Sequence, residues 1–403
     1  MSVTTAVSAY RDRMGPRVLD TVRAAAGRVP SLDTRLRAAH VDPAAGTDAT
    51  ALDAVEVLTK DALPGLQRRH PPFGGLVATG STVTRVFASP GPIYEAQLGG
   101  ADPWRWAPAL AACGIGAGDL VLNCFSYHLS PAGAMFDEAC RAVGATVVPG
   151  GVGAPDIQAH LILDLGVTAY IGLPSYLAAL VDRYAALGLD TGGWRVRTAL
   201  VTAEPLPDAL REQLQHRVPT VLMAYGTAEV GLIGYEESAG GGLVVPPDVY
   251  VQICDPATGQ PVPGDEPGEV VASLMHADYP LLRFGTGDVS RWQTDADGGL
   301  RLAGVLGRVG AAVKVRGMFV HPHQARELVA SLRDVGVTGG RFTVDRGGAK
   351  EVLRLELVTE SGAVGDQVRD TAVRRTREQL RVRPEVELVA AIEPGDILVE
   401  VGR

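Results

Sequence analysis

Between residues 103 and 229 short apolar runs alternate with helix-forming stretches, and this alternation constrains the fold more than any other feature of the chain. A first helix at 104–113 is stopped by Gly114, and the run 119–125 reads as a buried strand. A helix at 131–143 is opened by Pro131 and followed by Gly144. Strands at 145–149, 167–171, 196–202 and 220–225 then interleave with helices at 156–165, 174–187 and 207–217. Strands that are apolar throughout and separated by helices need cover on both faces, which predicts an α/β domain built on mostly parallel sheets. Gly114-Ile115-Gly116-Ala117-Gly118 precedes a strand instead of joining a first strand to its helix, which excludes a dinucleotide-binding oxidoreductase.

In open α/β sheets ligands bind beyond the carboxyl ends of the strands. Four such ends carry polar or small residues: Ser126-Tyr127-His128, Gly172-Leu173-Pro174-Ser175-Tyr176, Thr202-Ala203-Glu204, and Tyr225-Gly226-Thr227-Ala228-Glu229. They are expected to converge on one crevice. Thr227 suits a phosphate oxygen and Glu229 suits Mg²⁺, a hard cation that takes oxygen ligands; read alone, the stretch is equally a strand followed by a polar turn. His128 either contacts a substrate carboxylate or is a hydrogen-bonded histidine of the rim. Upstream, Thr79-Gly80-Ser81-Thr82-Val83-Thr84 follows an apolar run and offers backbone N–H groups and hydroxyls to an anion. In isolation it is more simply a hairpin turn, and it is not a Walker loop, since no Gly-Lys-Ser/Thr closes it.

Past residue 240 the texture changes. Short strands at 248–253, 268–274, 281–284 and 289–293 are separated by turns such as Asp255-Pro256 and Asp297-Gly298-Gly299, which predicts a small antiparallel barrel. Within it, Arg283-Phe284-Gly285-Thr286-Gly287-Asp288 sets a carboxylate that could accept from both hydroxyls of a ribose. A last unit has a helix at 324–334, strands at 342–344 and 352–358, a helix at 366–381 and a strand at 386–390, a compact α+β domain. Residues 1–70 read as helical and irregular, without chemistry.

A chain of 403 residues exceeds one ordinary core. Its 46% hydrophobic and 21% charged composition is that of a soluble globular protein, and its formal charge of −9 argues against nucleic-acid binding. No apolar run is long enough for a membrane span and residues 1–13 are polar, so a cytoplasmic protein is expected. The four cysteines lack metal-ligand spacing and read as reduced core residues. Lysine occurs only at positions 60, 314 and 350, so a mechanism that needs one has few places to find it.

Taken in order, these stretches, with Ser89-Pro90-Gly91-Pro92-Ile93-Tyr94-Glu95 and the glycine-rich segment 307–317, resemble the phenylacetate-CoA ligase branch of the adenylate-forming enzymes, from about Phe73 onward. The resemblance implies a large domain, 1–307, with mostly parallel sheets and a small antiparallel barrel, and a small mobile α+β domain, 308–403, with its hinge near Gly310. It implies ATP- and Mg²⁺-dependent conversion of a small, aromatic carboxylic acid to an acyl-adenylate, then transfer to CoA, a carrier-protein thiol or an amine, and it is compatible with a homodimer. Thr79, Ser81 and Thr82 would cover the ATP phosphates, Thr227 would bind the α-phosphate, and Glu229 would hold Mg²⁺. Tyr225 and Gly226, with Ala203 and Glu204, would flank the nucleotide, Tyr225 stacking near adenine, while Asp288 takes the ribose hydroxyls and Arg308 reaches the same nucleotide. The acid pocket is expected near Tyr127, Ile171, Gly172, Pro174, Ala203, Met223 and Ala224, with His128 at its edge.

The sequence also departs from the family pattern. The phosphate turn has Val83 and Thr84 where the family has Gly and Lys, so its charge is lost unless Arg85 supplies it. The hinge has Gly310 in place of an acidic residue, and no lysine follows Lys350, so the role of a C-terminal lysine in adenylation falls to Lys314 or to an arginine. A relative that transfers to a nitrogen nucleophile, or a non-catalytic one that keeps nucleotide binding, remains an alternative.

Overall fold

The computed structural model describes residues 2–43, 47–89, 93–309, 313–315, 318–320, 322–345, 352–360, 364–380, 382–392 and 395–401. It divides into two compact units, Met1–Thr286 with Ser290–Val305, and Gly287–Val289 with Leu306–Arg403.

The first unit opens with α1 (Val3–Ala25), α2 (Pro30–Ala38), the two-residue strand β1 (Leu58–Thr59) and α3 (Leu63–Arg69), then a hairpin of β2 (Val83–Ser89) and β3 (Ile93–Leu98). The predicted alternation follows: α4 (Ala107–Ala112), β4 (Leu120–Asn123), α5 (Ala132–Ala142), β5 (Thr146–Pro149), α6 (Pro155–Leu165), β6 (Ala169–Gly172), α7 (Pro174–Ala186), β7 (Thr198–Val201), α8 (Asp208–Gln215), β8 (Thr220–Thr227) and β9 (Gly231–Tyr235). They form one six-stranded sheet in the order β5-β4-β6-β7-β8-β9, parallel except that β9 runs antiparallel to β8. Alternate residues feed two cores, as a doubly covered sheet requires. Ile171, Leu200 and Leu222 pack with Leu110 and Phe136 of α4 and α5, while Tyr170, Val201 and Val221 pack with Ile162, Leu177 and Leu214 of α6–α8. The first helix starts three residues later than expected, because the Asp102 carboxylate accepts from the N–H groups of Trp106 and Ala107 at 3.0 and 2.6 Å and caps it there.

The expected small barrel is an open sheet. β10 (Val249–Cys254), β11 (Gly268–Leu274) and β12 (Phe284–Ser290) lie side by side, and β1 adds to β12 in parallel through Leu58↔Phe284 and Thr59↔Gly285. Closure is unnecessary because α1 covers this sheet. Tyr10 stacks on Tyr250 at 5.8 Å between ring centroids, tilts onto Trp292, and its hydroxyl accepts from Val251 N–H at 2.9 Å. A short hairpin of β13 (Trp292–Thr294) and β14 (Leu300–Leu302) follows.

In the second unit β15 (Gly307–Arg308) pairs with the Gly287–Val289 segment of β12. Then come β16 (Val313–Val315), β17 (Met318–Val320), α9 (Pro322–Ser331), β18 (Val337–Asp345), β19 (Val352–Thr359), α10 (Gly365–Leu380), β20 (Glu385–Leu388) and β21 (Leu398–Val401). The sheet order is β20-β19-β18-β21 over a core that includes Leu328, Phe342, Leu355 and Ala372. β21 was not anticipated; it runs parallel to β18. Gly310, the expected hinge, lies outside the described residues.

One buried ion pair ties α8 to the β8–β9 hairpin. Arg211 meets Glu236 through two contacts of 2.8 Å, and Glu236 also accepts from the N–H groups of Met223 and Gly240. Both side chains are almost wholly buried. Removing one partner leaves the other charge uncompensated, so Glu236→Ala should destabilise the first unit by about 3–5 kcal/mol, whereas Arg211→Met with Glu236→Leu should recover most of that loss. Thermal unfolding of the two variants beside the parent checks this.

Candidate active site

Parallel register places the carboxyl ends of β4, β6, β7 and β8 along one edge of the sheet. At β4, Asn123 is fully buried; its Nδ2 donates to Gly133 O at 2.9 Å and Tyr127 OH at 2.8 Å, while its Oδ1 accepts from Phe125 N–H. That amide shapes the 125–133 loop and holds Tyr127, a residue 40% exposed. Burial, then the neighbouring Asp137 carboxylate, push the Tyr127 phenol well up from its ordinary range. His128 is exposed in the same loop, its N–H bound to Ser126 Oγ.

At the ends of β6 and β7 the chain brings two predicted pieces together: Ser175 Oγ donates to Glu204 Oε2 at 2.5 Å. Ala203, just before, has φ +69°, a left-handed conformation that costs an alanine about 1–2 kcal/mol, and it is exposed. Gly172 is required by Tyr170, whose hydroxyl would lie 2.2 Å from any added Cβ and donates instead to Leu173 O at 2.9 Å. Of the side chains expected in the acid pocket, Ile171 and Ala224 are fully enclosed in the core beside α4 and α5, and Pro174 is buried. Strand alternation turns Ile171 and Ala224 inward; Met223, partly buried, faces the other side of the sheet.

β8 delivers Tyr225 to Glu229. Tyr225 is a core residue, 6% exposed, with its hydroxyl 3.1 Å from Thr286 Oγ1, which in turn donates to Val270 O. The ring expected to stack on a base is thus held within the first unit's core. Gly226 is there because a Cβ would lie 2.3 Å from Gly231 O and 2.7 Å from the Trp106 ring. Thr227 Oγ1 accepts from Val230 N–H at 3.1 Å, which tightens the turn.

Glu229 is the most demanding group in the site, its side chain 1% exposed. Oε1 lies 2.7 Å from Lys60 Nζ, an ion pair without the alignment of a hydrogen bond, and Oε2 has no partner among the described residues. Lys60 follows β1 directly, so the β1–β12 pairing sets it in place. The N-terminal seventy residues, expected to carry no chemistry, therefore supply a cation to the site. Glu229 also lines a cavity of about 280 Å³ with Glu95, Gln97, Arg105 and Tyr279. Glu95 Oε2 and Gln97 Oε1 are buried there and unpartnered among the described residues. Sequence reading missed Lys60, Glu95, Gln97 and Asn123; the rarity of lysine and an amide inside an apolar strand were the available signals.

The phosphate turn is placed by backbone bonds, Thr79 N–H to Arg28 O at 2.8 Å and Ser81 N–H to Ala78 O at 3.2 Å. Ser81 Oγ is buried without a partner among the described residues, and Thr82 is exposed. Arg85, the candidate replacement for the missing lysine, pairs instead with Glu138 at 3.4 Å. In the second unit Arg308 Nε lies 3.2 Å from Asp288 Oδ1; Asp288 is buried, and Arg308 is 75% exposed. Lys314 lies on β16, and Lys350 falls outside the described residues.

Burial pushes Glu95 up to about 7, with the nearby Glu229 charge adding to the rise and Ser89 Oγ, 2.5 Å from Oε1, and Lys60 opposing it. A raised carboxyl stabilises the fold while protonated. That contribution is whole below the ordinary carboxylate range and is lost as pH rises through about 7. Glu95→Gln should flatten the stability-versus-pH curve between about 4.5 and 7, measured by thermal unfolding across that window.

The family model described as AMP-binding enzyme matches residues 105–274. The phenylacetate-coenzyme A ligase of Pseudomonas putida is 28% identical over 348 residues, covering 82% of this chain and 78% of that one. Its counterpart from Thermus thermophilus is 27% identical over 82% of this chain and 77% of its own length. Among solved structures, an open conformation of 2-hydroxyisobutyryl-CoA ligase in complex with 2-HIB-AMP and CoA superposes with a TM-score of 0.80 over 98% of this chain and 92% of that one, at 21% identity, a likeness of fold. In its AMP-binding segment and over most of its length the chain is similar to the phenylacetate-coenzyme A ligases, which are adenylate-forming enzymes.

Proposed function

We propose that the chain activates a small aromatic carboxylic acid with ATP and passes the acyl group to CoA. A carboxylate oxygen attacks the α-phosphorus, the bond to the β-phosphate oxygen breaks, and pyrophosphate leaves. The CoA sulfur then attacks the acyl carbonyl of the adenylate, and AMP leaves. Little covalent chemistry falls to the protein in the first step; positioning and charge neutralisation carry it.

The observation that supports this reading best is Glu229, a carboxylate with 1% of its side chain exposed and one oxygen unpartnered among the described residues at the end of β8. Such an oxygen suits Mg²⁺, which takes hard oxygen ligands and, when bound, offsets phosphate charge. Thr227 stands two residues before it on the same turn and would orient the α-phosphate through its hydroxyl. Ala203 and Glu204, on the strained turn after β7, would border the nucleotide, with Glu204 set by Ser175. In the second unit the buried Asp288 carboxylate would receive the ribose hydroxyls, with Arg308 beside it. The acid would lie by the half-exposed Tyr127, Gly172 and Met223, and His128 stands in the same loop as Tyr127.

Acid-dependent pyrophosphate release from ATP, measured over a panel of aryl and short aliphatic acids, tests the activity. Glu229→Gln should lower that release by about 100-fold or more; an unchanged rate would refute the assignment. Asp288→Ala should raise the KM for ATP about tenfold and leave the preference among acids intact. Met223→Trp should narrow the acids accepted, and an unaltered range would remove Met223 from the pocket.

A further inference from the structure

Strand alternation sets Ile93, Glu95 and Gln97 on one buried face of β3, where packing alone would ask for apolar side chains at all three positions. Glu95 and Gln97 are 7% and 5% exposed, and each spends one end of its side chain on the protein. Glu95 Oε1 accepts from Ser89 Oγ at 2.5 Å, and Gln97 Nε2 donates to Glu138 Oε1 at 3.4 Å. The other ends, Glu95 Oε2 and Gln97 Oε1, are buried without a partner among the described residues. Both residues line the cavity beside Glu229.

The charges around that cavity do not balance. Glu229 is met by Lys60, and Arg105 faces the charges of Asp248 and Asp102. Glu95 has a hydroxyl and no ion pair among the described residues. One carboxylate and one amide oxygen are left facing a cavity that lacks a single positive charge. Buried acceptors of this kind cost stability unless a donor meets them.

We propose that this cavity takes a small primary amine, and that the amine is a second acyl acceptor of the enzyme. Its ammonium group donates to Glu95 Oε2 and Gln97 Oε1. Trp104 and Tyr279, on the same cavity, supply aromatic walls suited to an organic cation. At about 280 Å³ the space is close to the ~300 Å³ lower bound of small-molecule pockets, so the amine is a small one. A monocation fits better than a divalent ion, because only one carboxylate is left over. No group of three His, Cys, Asp or Glu that could hold a metal occurs among the described residues.

The proposal rests on the ligase reading for its acyl-adenylate. The bound ammonium gives one proton to Glu95 Oε2, and the freed nitrogen pair attacks the acyl carbonyl. The C–N bond forms, the bond from the carbonyl carbon to the phosphate oxygen breaks, and AMP leaves with that electron pair. The amide nitrogen sheds its remaining extra proton to water. Burial raises the Glu95 carboxyl to about 7, which suits it to hold the first proton.

The test titrates the whole chain, without nucleotide, with ethylamine, butylamine and benzylamine and with the matching alcohols, by calorimetry. At least one amine should bind about tenfold or more tightly than its alcohol. Glu95→Gln should lose about tenfold of that affinity and Gln97→Leu about threefold, with circular dichroism showing both folded. With ATP, an accepted acid and the best-binding amine, amide formation followed by mass spectrometry should saturate in amine. Glu95→Gln should lower the ratio of amide to CoA thioester by about tenfold, a ratio that a merely structural Glu95 would leave unmoved. Amines that bind no better than their alcohols, or parental amine affinity in folded Glu95→Gln, overturn the site. Amide that rises linearly with amine, alike in both proteins, comes from adenylate in free solution and overturns the acceptor role. Mn²⁺ bound by the nucleotide-free chain and lost in Glu95→Gln would make the cavity a metal site and overturn the amine. The alcohol comparison needs no variant, so it decides the site even if Glu95→Gln does not fold. Should the parent release no pyrophosphate with any acid, the ligase reading fails, while the titration still decides whether the cavity binds amines.

Discussion

A carboxylate buried at the end of a sheet strand is the constraint around which the first unit is arranged. Burial of an unpaired charge costs several kcal/mol even after the protein relaxes, so Glu229 dictates what must surround it. Lys60 answers that demand from a strand of only two residues, β1, which would have no stability alone and exists because β12 pairs with it. The same β12 carries Thr286, which receives the Tyr225 hydroxyl. The antiparallel sheet and the parallel sheet are thus coupled on both sides of one turn, by a hydroxyl pair before Thr227 and by an ion pair after it.

Rigidity behind that turn comes from polar groups that are fully spent. Glu236 uses both oxygens on Arg211 and on two backbone N–H groups, and Asn123 uses its amide on three partners. At the mouth the balance reverses. Glu229, Glu95 and Gln97 keep buried oxygens unpartnered among the described residues around one cavity, and Ala203, after the end of β7, holds a left-handed backbone. Unmet polar atoms and local strain are tolerated where a ligand would satisfy them, and paired groups supply the surrounding stability.

Tyr225 shows how far a family pattern carries and where it stops. The Tyr-Gly-Thr-Ala-Glu stretch was legible, and three of its residues have a structural reason to be there: Gly226 for the Trp106 ring, Thr227 for the turn, Glu229 for its pairing with Lys60. The ring of Tyr225 nevertheless lies in the core. Ile171 and Ala224 likewise serve packing, because a strand sends alternate side chains to opposite faces and only one face meets the helices α4 and α5.

By itself the sequence determined the order of strands and helices from residue 107 to 227, the parallel character of the main sheet up to that point, the change to antiparallel strands after residue 240, and the α+β character of the last hundred residues. These follow from local hydrophobic period and from Pro and Gly punctuation, which a chain displays residue by residue. Tertiary structure alone decided that Lys60 meets Glu229, that Glu95 shares the cavity, that α1 replaces barrel closure, and that Arg85 turns to Glu138. Those pairings join segments distant along the chain, and a charged or polar side chain carries no local mark of the partner that folding will bring to it.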